Sequence, residues 1–432
     1  MIPSVRGTRL FYGWWITAAA LGITFALSGV GFYSFSVLLK PLMNEFGWSR
    51  GAASVAQSIY LLMAAATGLL VGKLVQQYGV KKVVLLGAVI GGVCCLLLSL
   101  TRSIWYFYTL YFFFGIGLGG GAGLVPVAAV MMNWFNRRRG TAIGIATVGI
   151  ALGCMVLVPL IGFVAENFGW RLAYVFMGLV VLAIDIPLAL VLRTKPEEMG
   201  LLPDGDQPSE IREHVVAKSS GARTVESSST LERRGLAEQF RSLPLWLLCL
   251  GFVLAQIGEM SIVLHEVAFI TDMGISVTIA ATALGFTGGI GGVGKVVFGW
   301  LTDRISTRYV TMLCFGLQLL GLLILMQTHS IVMVWLFVVI FGFAMGGMPT
   351  LLPLAVRDLL GMANFGVMYG FVHFVVVGLA TAGPPFAGFM YDATGSYSIA
   401  FVTFAVTYAI SIVAIYFAWG LEPTLTMTPR GR

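Results

Sequence analysis

Charged residues are scarce in this sequence. They make up 10% of its 432 positions, whereas hydrophobic residues make up 58%. A soluble domain carries about 25% charged residues, and the mean hydropathy here is +0.92. A soluble fold is therefore excluded. The net charge of +7 comes mainly from basic residues between hydrophobic runs, which is typical of membrane topology and not of nucleic-acid binding.

Cysteine is also scarce, with five residues, all inside apolar segments and none in a CxxC or His/Cys ligand spacing. A disulfide framework and a zinc site are excluded on this pattern. The glycine run at 115–123 resembles a dinucleotide fingerprint, but it lies in an apolar span with no preceding strand and indicates close helix packing instead. With no nucleophile–base pair or nucleotide loop, we expect neither an enzyme nor a cofactor or metal.

Long apolar runs are what the sequence has in abundance. Twelve of them are long enough to cross a bilayer, and the first is too long for a cleavable signal peptide and has no A-x-A-like site. The sequence predicts an all-α membrane protein with twelve transmembrane helices at 13–39, 53–74, 83–101, 105–132, 141–164, 172–192, 245–270, 278–301, 310–328, 331–354, 365–390 and 397–419.

The polar stretch 193–243 divides these runs into six and six. It holds SSGARTVESSSTLERRG and almost no apolar clusters, a composition typical of a flexible linker. We therefore predict a six-helix half at 1–192, a cytoplasmic linker at 193–243 and a second six-helix half at 244–432.

Lysine and arginine set the orientation. With both termini cytoplasmic, the short inner segments hold thirteen of them, the outer loops four and the linker eight. Positive residues accumulate on the cytoplasmic side of membrane proteins, so both termini and the linker are predicted to be cytoplasmic. Lys295 is the remaining one and lies within a span.

Two loops repeat between the halves. Gly72-Lys-Leu-Val-Gln-Gln-Tyr-Gly follows the second span, and Gly299-Trp-Leu-Thr-Asp303-Arg304 follows the eighth, 227 residues later. Parallel six-helix repeats with a binding site between them near mid-membrane are typical of major facilitator transporters.

The chain resembles the major facilitator superfamily, and within it the monocarboxylate porter and oxalate/formate antiporter-like branch. The loop at 299–308 matches the superfamily pattern G-x-L-x-D-R-x-G-R-R, whereas Gln76 replaces the acidic residue in the first half. The resemblance implies a cytoplasmic gating role for Gly72, Gly299, Asp303 and Arg304.

The branch resemblance rests on longer motifs. Tyr12-Gly13-Trp14-Trp15 opens the first span, and NWFNRRRGTAIGIATVGIALG joins the fourth and fifth. Near the end of span eleven, Gly383-Pro-Pro, Gly388, Asp392, Thr394-Gly395 and Tyr397 follow the porter pattern G-P-P-x-x-G-x-x-x-D-x-T-G-x-Y. RTKPEEMGLLPDG is similar to a run in bacterial members, so the resemblance implies a bacterial inner membrane.

Lys295 is the first candidate site residue. An ionised side chain in a span costs at least about 2.5–3.5 kcal/mol on insertion scales, and related porters carry an arginine at this place, four residues before Gly299. The resemblance implies that Lys295 binds the carboxylate of a substrate. The aspartate of animal porters is replaced by Gly291. The alternative is a lysine that extends towards the cytoplasm without a substrate role.

Three further residues are candidates. Glu259, near the middle of span seven, is a candidate proton carrier, with a protonated glutamate bonded to neighbouring backbone, or a partner of Lys295, as the alternatives. His373 in span eleven can donate to a carboxylate, and oxalate porters carry a lysine one residue earlier. Tyr33 lies where some animal porters carry a substrate lysine. His265 and Glu266, nearer the outer end of span seven, are interpreted as water-exposed residues at the interface, with a place in the lining of the outer vestibule as the alternative.

The sequence thus predicts a secondary transporter of small organic anions, with proton-coupled symport of a lactate- or pyruvate-like monocarboxylate as the first hypothesis. Its partners are the substrate, protons and the lipid bilayer, with no nucleic acid. A carboxylate:carboxylate exchanger is the alternative. A non-transporting membrane receptor of the same fold is a second alternative.

Overall fold

A computed structural model describes residues 11–135, 138–205, 239–361 and 365–420. Most of the predicted linker and both termini lie outside these ranges. Every regular element in the described ranges is helical. Eleven helices are long and apolar enough to cross a membrane, and a bent helix formed by Arg50–Gly68 and Leu70–Tyr78 makes twelve. The predicted fold class is confirmed.

We number the membrane helices α1 to α12 in chain order. The first six are α1 Tyr12–Phe46, α2 Arg50–Tyr78, α3 Val80–Leu98, α4 Ile104–Trp134, α5 Arg139–Phe168 and α6 Trp170–Val191. The second six are α7 Leu243–Asp272, α8 Val277–Thr302, α9 Thr307–Met326, α10 Ile331–Leu360, α11 with segments Phe365–Ala380 and Gly383–Thr394, and α12 Ser398–Gly420. We call α1–α6 the first half and α7–α12 the second half.

Four of these helices are irregular near their middle. Helices α1 and α4 contain wide π turns at Leu27–Tyr33 and Gly115–Gly121. Helix α10 is interrupted at Gly346–Gly347, and α11 at Thr381–Ala382. Broken helices at membrane depth occur in transporters where backbone lines a cavity or is buried in protein. The irregular turns therefore indicate that a binding site would lie near the middle of the membrane.

Glycine allows the helices within each half to approach closely. A side chain at Gly153 of α5 would overlap the carbonyl oxygen of Phe25 in α1, and one at Gly346 of α10 would overlap that of Gly291 in α8. Small residues at membrane helix contacts allow backbone-to-backbone packing. These contacts join the helices of each half into one packed unit.

The glycine run of α4 serves packing, as predicted. A Cβ at Gly121 would lie 2.9 Å from the Cα of Gly87 in α3, and one at Gly115 would lie 2.5 Å from the carbonyl oxygen of Tyr60 in α2. The run therefore lies between two neighbouring helices.

The two halves meet along α5 and α8. A Cβ at Gly162 would lie 2.5 Å from the Cβ of Ala281, and one at Gly292 would lie 3.1 Å from the Cβ of Ala151. A second contact joins α2 to α11, where Ser58 donates a 2.6 Å hydrogen bond to the carbonyl oxygen of Thr381. The two halves are therefore joined along two pairs of helices, α5 with α8 and α2 with α11.

Candidate functional site

Lys295 lies on the face of α8 that points to the first half. Gly288 is on this face, since a Cβ there would overlap the sulfur of Cys154 in α5 and lie 3.5 Å from the Tyr33 ring. Seven residues make almost two helical turns, which places Lys295 below Gly288 on the same side. Helix geometry thus directs this cation towards the space between the halves.

Among the described residues, the Lys295 ammonium has no direct partner. The residue is partly buried, and its backbone carbonyl accepts a weak bond of 3.5 Å from Thr350. Within the described ranges, no hydrogen bond or ion pair reaches its side chain, although Glu259 lies within electrostatic range. An unpaired cation at this depth is suited to an anion supplied from outside the protein.

Glu259 is held by neutral groups. Its side chain is 8% exposed, and its oxygens accept hydrogen bonds from the amides of Gln318, at 2.9 Å, and Gln256, at 3.3 Å. Gln318 belongs to α9, so these bonds fix the carboxyl inside the second half. The carboxyl interacts electrostatically with Lys295 without forming a direct ion pair with it.

Tyr33 ends the π turn of α1 and is 6% exposed. It lies against Cys154 and Gly288, at the crossing of α5 and α8. It is also within electrostatic range of Glu259 and Glu266 on α7. The structure therefore brings the Tyr33 hydroxyl to the surface where the halves meet.

His373 lies on the first segment of α11 with an exposed side chain. Its ring stacks on Tyr369 with centroids 5.7 Å apart, and no contact in the described ranges joins it to Lys295. Val372, where oxalate porters carry lysine, is fully buried. The structure does not bring His373 and Lys295 together, so a shared ligand would have to span them.

The loop-motif residues lie at the ends of α2 and α8. A Cβ at Gly72 would meet nothing within 4 Å, and one at Gly299 would meet the Thr350 methyl group at 3.5 Å. Asp303 and Arg304 are exposed. The Arg304 guanidinium lies 4.3 Å from the Trp300 ring centroid. None of these contacts crosses between the halves.

The opposite membrane end, predicted to be extracellular, holds a charged cluster that the sequence analysis missed. Arg50 at the start of α2 is 4% exposed and donates two bonds to Asp272 at the end of α7, at 2.8 and 3.0 Å. Lys40 of α1 approaches the same carboxylate at 2.6 Å. We call this end the outer end, and we name as the outer cluster Lys40, Arg50, His265, Asp272, Asp392 and Tyr397.

The other cluster members extend this contact. Arg50 donates to the Tyr397 hydroxyl at 2.7 Å, and that hydroxyl lies 3.0 Å from Nδ1 of His265. Asp392 accepts the backbone N–H groups of Arg50 and Gly51, both at 2.8 Å. Charge-assisted bonds of this kind are strong. They join the first half to the second and close the outer end.

Residues of the motif from Gly383 to Tyr397 have a structural role in this cluster. Asp392 caps the N-terminus of α2, and Tyr397 binds Arg50 directly. A Cβ at Gly388 would lie 2.6 Å from both the Cα and the nitrogen of Gly51, so only glycine permits this approach of α11 to α2. The sequence offered one signal for this cluster. Basic residues Lys40 and Arg50 and the acidic residue Asp272 lie at the ends of spans on the same predicted side of the membrane.

The interpretation of His265 and Glu266 as water-exposed residues is wrong, because each is 1% exposed. His265 packs inside the outer cluster, where Nε2 lies 2.9 Å from the Pro384 carbonyl oxygen. Glu266 accepts a 2.9 Å hydrogen bond from Thr287 of α8. The first half covers this end of α7, which hydropathy alone does not reveal.

Twelve membrane helices in two six-helix halves, which contact each other along α5 and α8 and through the outer cluster, define a multi-pass membrane transport protein. The family model of the Major Facilitator Superfamily matches residues 21–382 and 292–432. The chain belongs to this superfamily. It is a transporter and not an enzyme.

Curated relatives lie in the monocarboxylate transporter branch. Monocarboxylate transporter 12 of Homo sapiens is 25% identical over 424 residues, covering 94% of this chain and 80% of the relative. Monocarboxylate transporter 2 of Homo sapiens is 24% identical over 410 residues, covering 90% of this chain and 82% of the relative. The predicted resemblance to this branch is confirmed.

Solved transporters share the fold. A bacterial homologue of the human lysosomal transporter Spinster, in an inward-facing unoccupied conformation, matches with a TM-score of 0.72 at 16% identity, covering 96% of this chain and 97% of that chain. A D-xylose-proton symporter matches with a TM-score of 0.68 at 16% identity, covering 95% and 98%. At these identities the likeness concerns the fold alone.

Proposed function

We propose that this protein carries small organic monocarboxylates together with a proton by alternating access, in a bacterial inner membrane with both termini cytoplasmic. The observation that carries the proposal is Lys295, a cation without a direct partner on the face of α8 that points to the first half. Similarity to the monocarboxylate transporters supports a carboxylate as the anion.

Lys295 would bind the substrate carboxylate. Its ammonium offers three donors but no planar fork, so it recognises charge more than shape. Tyr33 and His373 would contribute polar groups, Tyr33 from the facing surface of α1 and His373 from α11. A single charge with few directional partners is suited to small acids of varied structure.

Glu259 would carry the proton. When the substrate anion reaches Lys295, the anionic form of Glu259 loses part of its electrostatic support, because two negative charges then share one cation. Uptake of a proton by Glu259 removes this repulsion. The substrate and the proton enter together, which avoids the cost of moving an isolated charge through a low-dielectric space.

Alternating access would use the outer cluster as the contact that closes the outer end. With Arg50 and Asp272 paired, the two halves are held together at that end. Separation of the pair would open it. The loop residues Gly72, Gly299, Asp303 and Arg304 lie at the other end, where we propose that they close the cytoplasmic side in the alternate state.

The test is uptake of radiolabelled lactate and pyruvate into proteoliposomes, with and without an inward proton gradient. Lys295→Ala should reduce uptake by roughly tenfold or more, because a hydrogen bond to a charged group contributes about 1.5–3 kcal/mol. Lys295→Arg should retain transport. Lys195→Ala, at an exposed lysine outside the spans, is the matched control. Normal uptake by Lys295→Ala would overturn the proposal.

Gly291 favours a second candidate function, carboxylate:carboxylate exchange. Animal porters carry an aspartate at this place on α8, whereas here a Cβ would lie 3.3 Å from the Gly342 carbonyl oxygen, which leaves little space for an acid. Exchange predicts faster uptake into vesicles preloaded with carboxylate and no response to a proton gradient. A symporter responds to the gradient.

A further inference from the structure

Glu266 is a buried carboxyl group to which the proposed function gives no role. It lies on α7, 1% exposed, and its Oε1 is 2.9 Å from the Thr287 hydroxyl. Its Oε2 is buried and has no hydrogen-bond partner in the described part of the chain. A buried polar atom without a partner calls for an explanation in terms of function or an additional ligand.

The hydroxyl of Thr287 shows which form of the carboxyl fits the site. This oxygen lies 2.9 Å from Glu266 and 3.0 Å from the carbonyl oxygen of Ala283, but a hydroxyl has only one proton to donate. If Glu266 is protonated, it donates to Thr287, and Thr287 donates to Ala283. Both short contacts are then hydrogen bonds, so the geometry accommodates a proton on Glu266.

Glu266 lies where the two halves meet. The titratable groups that face it from the first half are Tyr33 of α1 and Cys154 of α5. The next residue, Val267, donates its N–H to Ser36 of α1 at 3.4 Å. Opening of the outer end would separate these surfaces and admit water to the carboxyl.

Glu266 and Glu259 share one side of α7. They are seven residues apart, nearly two turns, or roughly 10 Å along the helix axis. Tyr33 interacts electrostatically with both. Among the described residues, the other titratable groups that interact with Glu259 are Lys295, Tyr408 and Cys314, and Lys295 is the cation among them.

We propose that Glu266 is the outer proton-binding site of the transporter and passes its proton to Glu259 through the Tyr33 hydroxyl. The inference rests on the proposed proton coupling and names the path. In the outward-open state Glu266 takes up one proton from water. Its neutral form allows the halves to close around it, whereas an anion there would be buried without a counter-charge.

Among the described residues, no hydrogen bond joins the Tyr33 hydroxyl to either carboxyl in this state, so the transfer requires these side chains to move into contact. The O–H bond of Glu266 breaks as its proton moves to the oxygen of Tyr33, and the original proton of Tyr33 moves to the carboxylate of Glu259. Glu266 is then ionised, Tyr33 is unchanged and Glu259 is neutral. Release of the Glu259 proton at the cytoplasmic side leaves two carboxylates, and the ionised Glu266 favours reopening of the outer end.

The experiment compares proton-driven uptake with exchange in the same proteoliposomes. Glu266→Gln is nearly isosteric and cannot titrate, so we expect it to exchange labelled for unlabelled lactate across the membrane and to lose the response to an inward proton gradient. Glu197→Gln, at an exposed glutamate near the start of the predicted linker, should keep both activities.

The outcomes distinguish a failure of the proposed symport from a failure of the proposed proton path. If wild type exchanges lactate but ignores the gradient, the proposed symport is wrong. If wild type is coupled and Glu266→Gln keeps the full gradient response, only the path is wrong. Should Glu266→Gln lose exchange as well, Tyr33→Phe decides: a lower ratio of gradient-driven uptake to exchange supports the path, and an unchanged ratio overturns it.

Discussion

Arg50 and Asp272 join the two halves of the protein through a bidentate ion pair. Two guanidinium nitrogens of Arg50 lie 2.8 and 3.0 Å from the two carboxylate oxygens of Asp272, although the residues are 222 positions apart. The Arg50 guanidinium also stacks on the Tyr391 ring at 3.5 Å. A carboxylate geometry that matches the arginine fork gives both strength and orientation.

Arg50→Ala should open the outer end. Loss of hydrogen bonds to a charged group costs about 1.5–3 kcal/mol, which shifts the population of the outer-open state by roughly ten- to a hundredfold. Arg50→Lys should show a smaller shift because it keeps the charge but not the fork. The measurement is maleimide labelling of Ser54→Cys, at a position that is fully buried in this state, in a background without the native cysteines. Equal labelling rates with native Arg50, with Arg50→Ala and with Arg50→Lys would contradict the prediction.

Gly388→Val should trap the transporter with its outer end open. The added side chain would collide with the backbone of Gly51, where even a Cβ comes within 2.6 Å, so α11 and α2 cannot close. We expect loss of uptake in proteoliposomes with retained binding of lactate, measured by equilibrium binding in detergent. Gly378→Ala on the same helix, where a Cβ would meet nothing within 4 Å, is the control. Normal uptake by Gly388→Val would show that closure does not need this approach.

Asp392→Ala should destabilise the start of α2. It removes the acceptor for two backbone N–H groups, a loss comparable to removal of a helix cap, about 0.5–2 kcal/mol. We expect a lower thermal unfolding temperature in detergent and faster labelling of Ser54→Cys. Asp392→Asn, which keeps one acceptor oxygen, should lie between wild type and Asp392→Ala. The opposite order of the two variants would rule out the capping role.

Gln57→Leu should weaken the π turn of α1. The Gln57 amide donates to the carbonyl oxygens of Gly31 and Phe32, both at 3.3 Å, and these two carbonyls belong to the wide turn at Leu27–Tyr33. Loss of the donor leaves buried acceptors, at a cost of about 1–3 kcal/mol. Thermal unfolding checks this. Ser58→Ala, one position along α2, removes a bond to Thr381 in the other half and leaves the π turn intact.

The sequence predicted the membrane helices well because hydropathy measures the hydrocarbon crossing directly. Hydropathy predicted that α1 ends at residue 39. The helix instead continues to Phe46 and is followed by Gly47, whose φ is +66°. The polar residues Lys40 and Glu45 end the apolar run but not the helix. A helix continues through the interface, where charged side chains are at low cost.

The partners in the contacts between the halves could not be assigned from the sequence. Arg50, Asp272 and Tyr397 come from distant parts of the chain, and no periodicity relates them. Glu266 was wrongly predicted to be water-exposed for the same reason. A helical turn that is covered by the other half has the same local sequence pattern as an exposed turn. Lys295 was found because a lone cation in an apolar helix is conspicuous without knowledge of its neighbours.

The outer cluster should contribute little to the response of the protein to membrane voltage. It contains two basic side chains, Lys40 and Arg50, and two acidic ones, Asp272 and Asp392, so its formal charges cancel. One elementary charge moved across a membrane potential corresponds to about 2.3 kcal/mol per 100 mV. Opening a neutral cluster therefore requires little electrical work. Any dependence of transport on membrane potential should come from the solute, the proton and Lys295, and not from closure of the outer end.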